Sequence, residues 1–466
     1  MKLTSKHCKL VADTYTPVSA YLKLRYVFPN SYLLESADRH SAENSTSYLA
    51  FNPLSSVWVD TNYNVHTYKH KSKTGSTKAF ENKPQVVANV EAYFKEHKVE
   101  NPNKAFQNGF FGMMTFESLS LFEDIKYHFD SDYKIPLLHY TLFQNVLVFN
   151  HFTHTAELYC FTEDGSDNLQ EVTEMLDIKT FPSYSIAVDK ERSCSNSDEQ
   201  FMQSVARGKK ACRMGDVFQV VLSREFSRGY RGDEFNVYRS LRSVNPSPYM
   251  FYFDFSEFKL LGSSPESQVK KEKDEVVISP IAGTVKRSGQ DEEDKQQAEK
   301  LMLDQKEAAE HVMLVDLARN DLSKIASNVE VSKMRELHYY SHVIHLVSTV
   351  KGKLRQDIGP LSVIGETFPA GTLSGAPKFR ALEIIRDEEQ KPRRMYGGTV
   401  GFIGLNGDVN SAIFIRSAIC ENQKILYRAG AGIVDGSTLE GELNEVQHKV
   451  GALEKAIEMA NENFAG

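Results

Sequence analysis

The stretch from Thr399 to Ile433, TVGFIGLNGDVNSAIFIRSAICENQKILYRAGAGI, decides the fold class. Thr399–Ile403 and Ser411–Ile419 alternate apolar with small or polar residues, and Asn406-Gly407 stands between them. Asn-Gly favours a tight type I′ hairpin, because both central residues need positive φ. A third run, Ile425–Ile433, follows directly, so antiparallel pairing is expected throughout. Ser437-Thr438-Leu439-Glu440 then reads as a capping box, opening a last helix whose core stripe is Leu443, Val446, Val450, Leu453 and Ile457.

Reading towards the N-terminus, Met250–Phe255, Phe258–Gly262 and Glu275–Ser279 look like an antiparallel meander, and Val217–Phe226 and Val343–Val350 like further strands. Asp198–Met214 places Phe201, Met202 and Val205 on one helical face, and a long helix is expected from about Glu292 to Leu317. In the first ~150 residues, Tyr32–Leu34, Tyr48–Phe51 and Val57–Val59 are strand candidates. Gln85–His97 is a helix with Val86, Val87, Val90, Tyr93 and Phe94 on one side, and Leu137–Phe161 alternates in strand-like pieces. A polar stretch ends near residue 190. It divides an N-terminal region, 1–190, from a C-terminal region, 191–466. Hairpins interleaved with long helices indicate α+β rather than a doubly wound parallel sheet.

The 466 residues are 41% hydrophobic and 25% charged, as in globular chains, with a formal net charge of −7. An acidic chain without a basic block points away from nucleic acid and anionic membranes. No apolar run reaches membrane-spanning length, and the N-terminus lacks the apolar core of a signal peptide. The five cysteines, Cys8, Cys160, Cys194, Cys212 and Cys420, are odd in number and contain no CxxC, which suits a reducing cytoplasm. The sequon Asn44-Ser45-Thr46 is read as chance.

Three features could carry chemistry. Glu307 and Glu310 share a helix face, with His311 and Leu314 beside them, and so do Glu442 and Glu445, with Lys449 one turn on. Each pair alone also reads as a solvated face. Two pairs from two helices suit Mg²⁺, which takes one or two carboxylates together with water and substrate oxygens. Two glycine-rich loops come next, Gly371–Lys378 and Gly430–Gly436. The first precedes a helix with Pro377 in its first turn, where free N–H groups can bind an anion. Neither has Walker or dinucleotide spacing. Finally, Arg416, His345 and Tyr396 are isolated polar residues. Arg416 shares a face with Ala412, Phe414 and Ala418, and a buried arginine needs an anionic partner. These residues suggest an enzyme acting on a small anion with Mg²⁺.

Taken together the segments resemble the chorismate-utilising enzyme family. The matching runs are GDVFQVVLSR from Gly215, GSSPES from Gly262, PIAGT from Pro280, KEAAEHVMLVDLARND from Lys306 and VIHLV from Val343. TFPAGTLSGAPK from Thr367, YGGTVGFIG from Tyr396, IRSA from Ile415 and AGAGIV from Ala429 follow in order, and YLLES and NGFFGMMTFE match more weakly upstream. The resemblance implies two large antiparallel sheets packed together and flanked by helices, in four layers. It implies Mg²⁺ on Glu310 and Glu445, with Glu442 beside them. It makes Gly283, Thr284, Tyr396, Arg416, Gly430, Ala431, Gly432 and Lys449 chorismate contacts. It gives catalytic roles to Glu307 as general acid, His345 in pyruvate elimination, Gln219 and Thr372. Hydroxide is a poor leaving group, so a protonated carboxyl beside it is useful.

Two positions choose within the family. Members that add water carry a lysine base where this chain has Gln219; ammonia already has a lone pair. Members that make 4-amino-4-deoxychorismate read PIKGT, whereas Ala282 offers no nucleophile. The resemblance is therefore closest to the branch that makes anthranilate and pyruvate from chorismate and ammonia, through 2-amino-2-deoxyisochorismate. The 4-amino branch, or a chorismate- or tryptophan-binding regulator without catalysis, are the alternatives. The resemblance further implies a separate glutamine amidotransferase subunit as the ammonia source, in a heterotetramer with two of each subunit. It also implies inhibition by L-tryptophan at Ser36, Pro248, Tyr249 and Met250. Ser45, Thr46 and Ser47 replace the Arg-Tyr-Ser usual after YLLES, a departure that bears on inhibitor affinity and not on the active site.

Overall fold

The computed structural model describes residues 1–37, 46–102, 106, 108–129, 133–340 and 343–464, with Lys306 described as backbone only. Asn44 and Ser45 lie outside these residues. The fold is α+β, and every strand pairing but Lys2–Leu3 with Lys98–Val99 is antiparallel among the described residues.

Two long strands, Thr46–Val59 and Leu138–Asn150, pair along their whole length and belong to both sheets. From them one sheet runs through Tyr32–Glu35, Tyr249–Asp254, Phe258–Ser264, Ser417–Glu421 and Lys424–Ile433 to Gln219–Gly232. The other runs through Gly109–Met114, Thr399–Gly404, Val409–Ile413, Ser267–Glu272 and Glu275–Ile278 to Val343–Leu354 and Ala326–Tyr339. Both sheets thus combine strands from before and after residue 190. One apolar cluster, with Phe110, Phe143, Phe251 and Leu322, draws on strands of both sheets. A second, with Phe201, Tyr238, Val446 and Ile457, packs the first sheet against the helices Asp198–Met214, Phe235–Val244 and Leu439–Asn463.

Several sequence expectations are corrected. The meander contains an extra strand, Ser267–Glu272, which separates Phe258–Ser264 from Glu275–Ile278. Its sequence SQVKKE hides its apolar content, because Gln268 and Lys271 are buried yet bonded to the carbonyls of Thr367 (2.9 Å) and Gly407 (2.7 Å). The long helix is two helices, Asp291–Leu303 and Gln305–Ile325. Asp304 is extended between them (ψ 117°), and its carboxylate accepts the Glu307 N–H at 3.0 Å as an N-cap. The Asn406-Gly407 hairpin has Gly407 alone in the left-handed region (φ 84°), with Gly404 bonded to Asp408, a three-residue loop rather than the type I′ turn. The last helix is capped by Thr438, whose hydroxyl accepts the Gly441 N–H, while Ser437 caps Val434 instead. The expected strand Ser411–Ile419 breaks at Phe414–Arg416 into Val409–Ile413 and Ser417–Glu421, which lie in different sheets.

Candidate active site

That break sets the position of Arg416. Its backbone is left-handed (φ 50°), so it leaves both ladders, and the face predicted from Ala412 and Ala418 does not apply. Its side chain is part-buried and makes no hydrogen bond or ion pair among the described residues. Burial lowers its pKa, and the charge of Glu266 partly restores it. Glu266 was not singled out in the sequence. It follows Pro265 at a second break, between the strands Phe258–Ser264 and Ser267–Glu272. The two breaks are bonded together, with Ile413 N–H on the Glu266 carbonyl (3.0 Å) and Ser263 N–H on the Arg416 carbonyl (3.2 Å). A carboxyl among small and apolar residues beside a strand-breaking proline was the available signal.

Burial pushes the Glu266 carboxyl up to about 7, opposed by the Thr372 hydroxyl, which donates to Oε1 at 3.1 Å, and by the charges of Arg416 and Lys449. Thr372 sits in a single 3₁₀ turn, Gly371–Leu373. His345 is buried on Val343–Leu354, and its Nδ1 meets Thr284 Oγ1 at 2.9 Å and the Gly283 carbonyl at 3.4 Å. Its Nε2 has no hydrogen-bond partner among the described residues. Burial, and secondarily Arg416, bring its pKa down to about 4, so the imidazole is neutral near pH 7. Gly283 (φ 70°) forms a bulge against that strand, and a Cβ there would lie 3.3 Å from the Glu307 carboxylate.

The opposite wall is the Lys424–Ile433 strand. A side chain at Gly432 would collide with the Gln219 amide, which is itself buried with Oε1 unbonded among the described residues. The buried Tyr396 hydroxyl faces the Gly430 backbone, and burial pushes its pKa up to about 12. Lys449 donates to the Gly430 carbonyl (3.0 Å) and pairs with Glu445 (2.7 Å), and Ala431 is fully buried. The structure therefore brings together Glu266, Thr372, Arg416, His345, Thr284, Gly283 and Glu307 on one side, and Tyr396, Gly430, Gly432, Gln219 and Lys449 on the other. The charges of Lys449 and Arg416 both act on Glu266 and so span the two groups.

Among the described residues no three acidic, histidine or cysteine side chains gather closely enough to form a preformed metal cage. Glu310 and Glu445 are part-exposed, and Glu442 is buried. These groups are all-oxygen donors, the ligand type that Mg²⁺ takes, with one or two carboxylates and the rest of its octahedron filled by water and other oxygens.

Ser36, Pro248 and Tyr249 line a separate cavity of about 140 Å³ with Leu34, Lys270 and Phe402. Met250 points to the other face of its strand, into the helix-side core, because strand side chains alternate. No helix among the described residues is long and apolar enough to cross a membrane.

Comparison with known proteins places the chain in a family and a fold. The model of the chorismate binding enzyme family matches residues 35–455. Anthranilate synthase component 1 of Aquifex aeolicus is 35% identical over 98% of the chain and 95% of its own length. The crystal structure of anthranilate synthase component I from Streptococcus pneumoniae superposes with a TM-score of 0.77 at 29% identity, over 95% of this chain and 98% of that one. The menaquinone-specific isochorismate synthase from Escherichia coli (TM-score 0.73, 18% identity, 98% and 94% coverage) shares the fold.

Proposed function

Because the chain belongs to the chorismate-binding enzyme family, we propose that it is the synthase component of an anthranilate synthase. It converts chorismate and ammonia to anthranilate and pyruvate through 2-amino-2-deoxyisochorismate. The observation that carries the choice of nucleophile is Gln219, an amide buried against Gly432. An amide cannot deprotonate water, but ammonia attacks without a base. Ala282, next to the Gly283 bulge, excludes covalent attack by a side chain at that point.

The residues divide the work as follows. Arg416, largely enclosed and with no hydrogen bond or ion pair among the described residues, pairs with a substrate carboxylate; Lys449, Tyr396 and the Gly430–Gly432 backbone cradle the rest. We assign the proton for the departing C4 hydroxyl to Glu266 rather than to Glu307. Glu266 is half protonated near pH 7, is aimed by Thr372, and faces Arg416. Glu307 shares a helix face with Glu310; Glu310, together with Glu442 and Glu445 of the last helix, would hold Mg²⁺, which when bound would neutralise a substrate carboxylate. Neutral His345, with Nε2 open, takes the C2 proton as pyruvate leaves, a step driven by aromatisation. Ammonia comes from a separate glutamine amidotransferase subunit, two of each forming a cytoplasmic heterotetramer. L-tryptophan occupies the cavity at Ser36, Pro248 and Tyr249. Incubation of the purified chain with chorismate, Mg²⁺ and ammonium is expected to give anthranilate fluorescence. Isochorismate, or 4-aminobenzoate after addition of the matching lyase, would overturn the assignment.

A further inference from the structure

Behind the candidate site lies a buried ionic cluster that the mechanism does not use. Arg393 is buried to within 1% of full enclosure. Its Nε and Nη2 donate to Glu389 (2.9 and 2.6 Å), Nη2 also to the Val221 carbonyl (2.7 Å), and Nη1 to the Leu373 carbonyl (2.7 Å). The guanidinium carbon lies 4.6 Å from the Phe116 ring centre and 5.6 Å from that of Tyr396. Glu389 in turn accepts the Ser223 N–H and hydroxyl (both 2.9 Å) and Arg428 Nη1 (2.6 Å). The Arg393 backbone N–H is fixed by the buried Glu117 carboxyl at 2.5 Å.

Each tethered segment carries a residue of the site. Val221 is two residues from Gln219, Leu373 adjoins Thr372, and Arg428 is two residues from Gly430. Tyr396 is held directly. A buried ion pair is weak evidence for stability, since apolar side chains of equal volume often do as well. A planar fork with five donors does something apolar packing cannot: it fixes two carbonyls and a carboxylate in one plane. We infer that Arg393, held by Glu389, is the positioning residue of the chorismate site, keeping Gln219, Thr372 and Tyr396 in register with Gly430. This inference rests on the anthranilate synthase reading.

The test is Arg393→Lys, which keeps the charge and loses the fork, combined with Tyr396→Phe in a double-mutant cycle. Chorismate, Mg²⁺ and ammonium are the reactants, and each protein is checked for cooperative unfolding. Misplacement of site groups by about 1 Å can cost about 100-fold, so kcat/KM for chorismate is expected to fall about 30–100-fold. Most of the loss should lie in KM for chorismate, with little change in KM for ammonium. Because Arg393 acts through Tyr396, the double variant should lose less than the product of the single losses. Glu389→Gln, which keeps the shape and removes one charge, should show the same KM split and serves if Arg393→Lys does not fold. A folded variant within twofold of wild type, or losses that multiply fully, would overturn the inference. Wild type that gives no anthranilate would instead remove the reading beneath it.

Discussion

Glu266→Gln separates the catalytic from the structural effect of one carboxyl, because the two change with opposite sign. In the folded chain burial raises this carboxyl from 4.5 to about 7. The folded state therefore holds the proton more tightly than the unfolded state. Stability from this group is complete below about pH 4.5 and is lost as pH rises to about 7, by about 3 kcal/mol in total. The amide never ionises and is spared that loss. Relative to wild type, Glu266→Gln should gain about 2–3 kcal/mol between pH 5 and pH 8.5. Glu117, also near 7, titrates equally in both proteins and cancels. Catalysis runs the other way: a positioned general acid supplies about 10²–10⁴-fold, and kcat for anthranilate should fall by that amount. In wild type, kcat/KM at fixed free ammonia should decline above about pH 7, as the acid ionises in the free enzyme. The assays are urea unfolding at the two pH values and anthranilate fluorescence with chorismate, Mg²⁺ and ammonium. A variant within tenfold of wild-type kcat would refute the role of Glu266 as the acid, and a stability difference that does not move with pH would refute the burial argument.

Three other outcomes follow from the same geometry. Chelation of Mg²⁺ should abolish anthranilate formation with ammonium, and Glu310→Gln or Glu445→Gln should raise the Mg²⁺ concentration for half-maximal rate at least tenfold; rates indifferent to chelator would remove the metal proposal. Ser36→Leu fills part of the cavity of about 140 Å³, so inhibition by L-tryptophan should need at least tenfold more inhibitor while uninhibited kcat stays unchanged. Gly112→Ala puts a methyl group against the His139 carbonyl and the Tyr140 backbone in a fully buried pairing. Overpacking there should cost about 3 kcal/mol in urea unfolding, and a loss below about 1 kcal/mol would mean that the strands move apart easily.

How far the fold could be read depended on whether a segment stayed within one environment. Asp198–Met214, Lys424–Ile433 and the stripe Val446–Val450–Leu453–Ile457 were legible because each faces one core throughout. Thr46–Val59 was read as two short pieces because a bulge at Pro53 shifts the register and swaps the buried face midway. The break at Asp304 was written as Asp-Gln-Lys-Glu, a helix-start signal obscured by helical residues on both sides. The glutamates on helices were found by spacing. The Glu389, Arg393 and Arg428 cluster was not: Glu389 and Arg393 are only four apart, but the helix stops at Glu389, so helical spacing does not pair them, and Arg428 joins them through tertiary contact alone.

The hardest residues to place were Glu266 and Arg416, and the reason is geometric. The paired strands Phe258–Ser264 and Ser417–Glu421 lie in one sheet, and their continuations, Ser267–Glu272 and Val409–Ile413, pair in the other. The antiparallel pair thus crosses between sheets as a unit, and both chains must leave the ladder there: at Pro265-Glu266, and at Phe414-Ile415-Arg416. A period-2 pattern assigns faces only while a strand stays in one sheet. Across the break the count restarts, so alternation carries no information on where Arg416 points. The same crossing places a part-buried guanidinium and a raised carboxyl opposite each other where no ladder constrains them. Charged groups that either sheet interior would exclude can be held there, at a cost that the proposed pairing of Arg416 with a substrate carboxylate would offset. The site is therefore a consequence of the sheet crossing, and shifting either break by one residue should disable it while leaving both sheets folded.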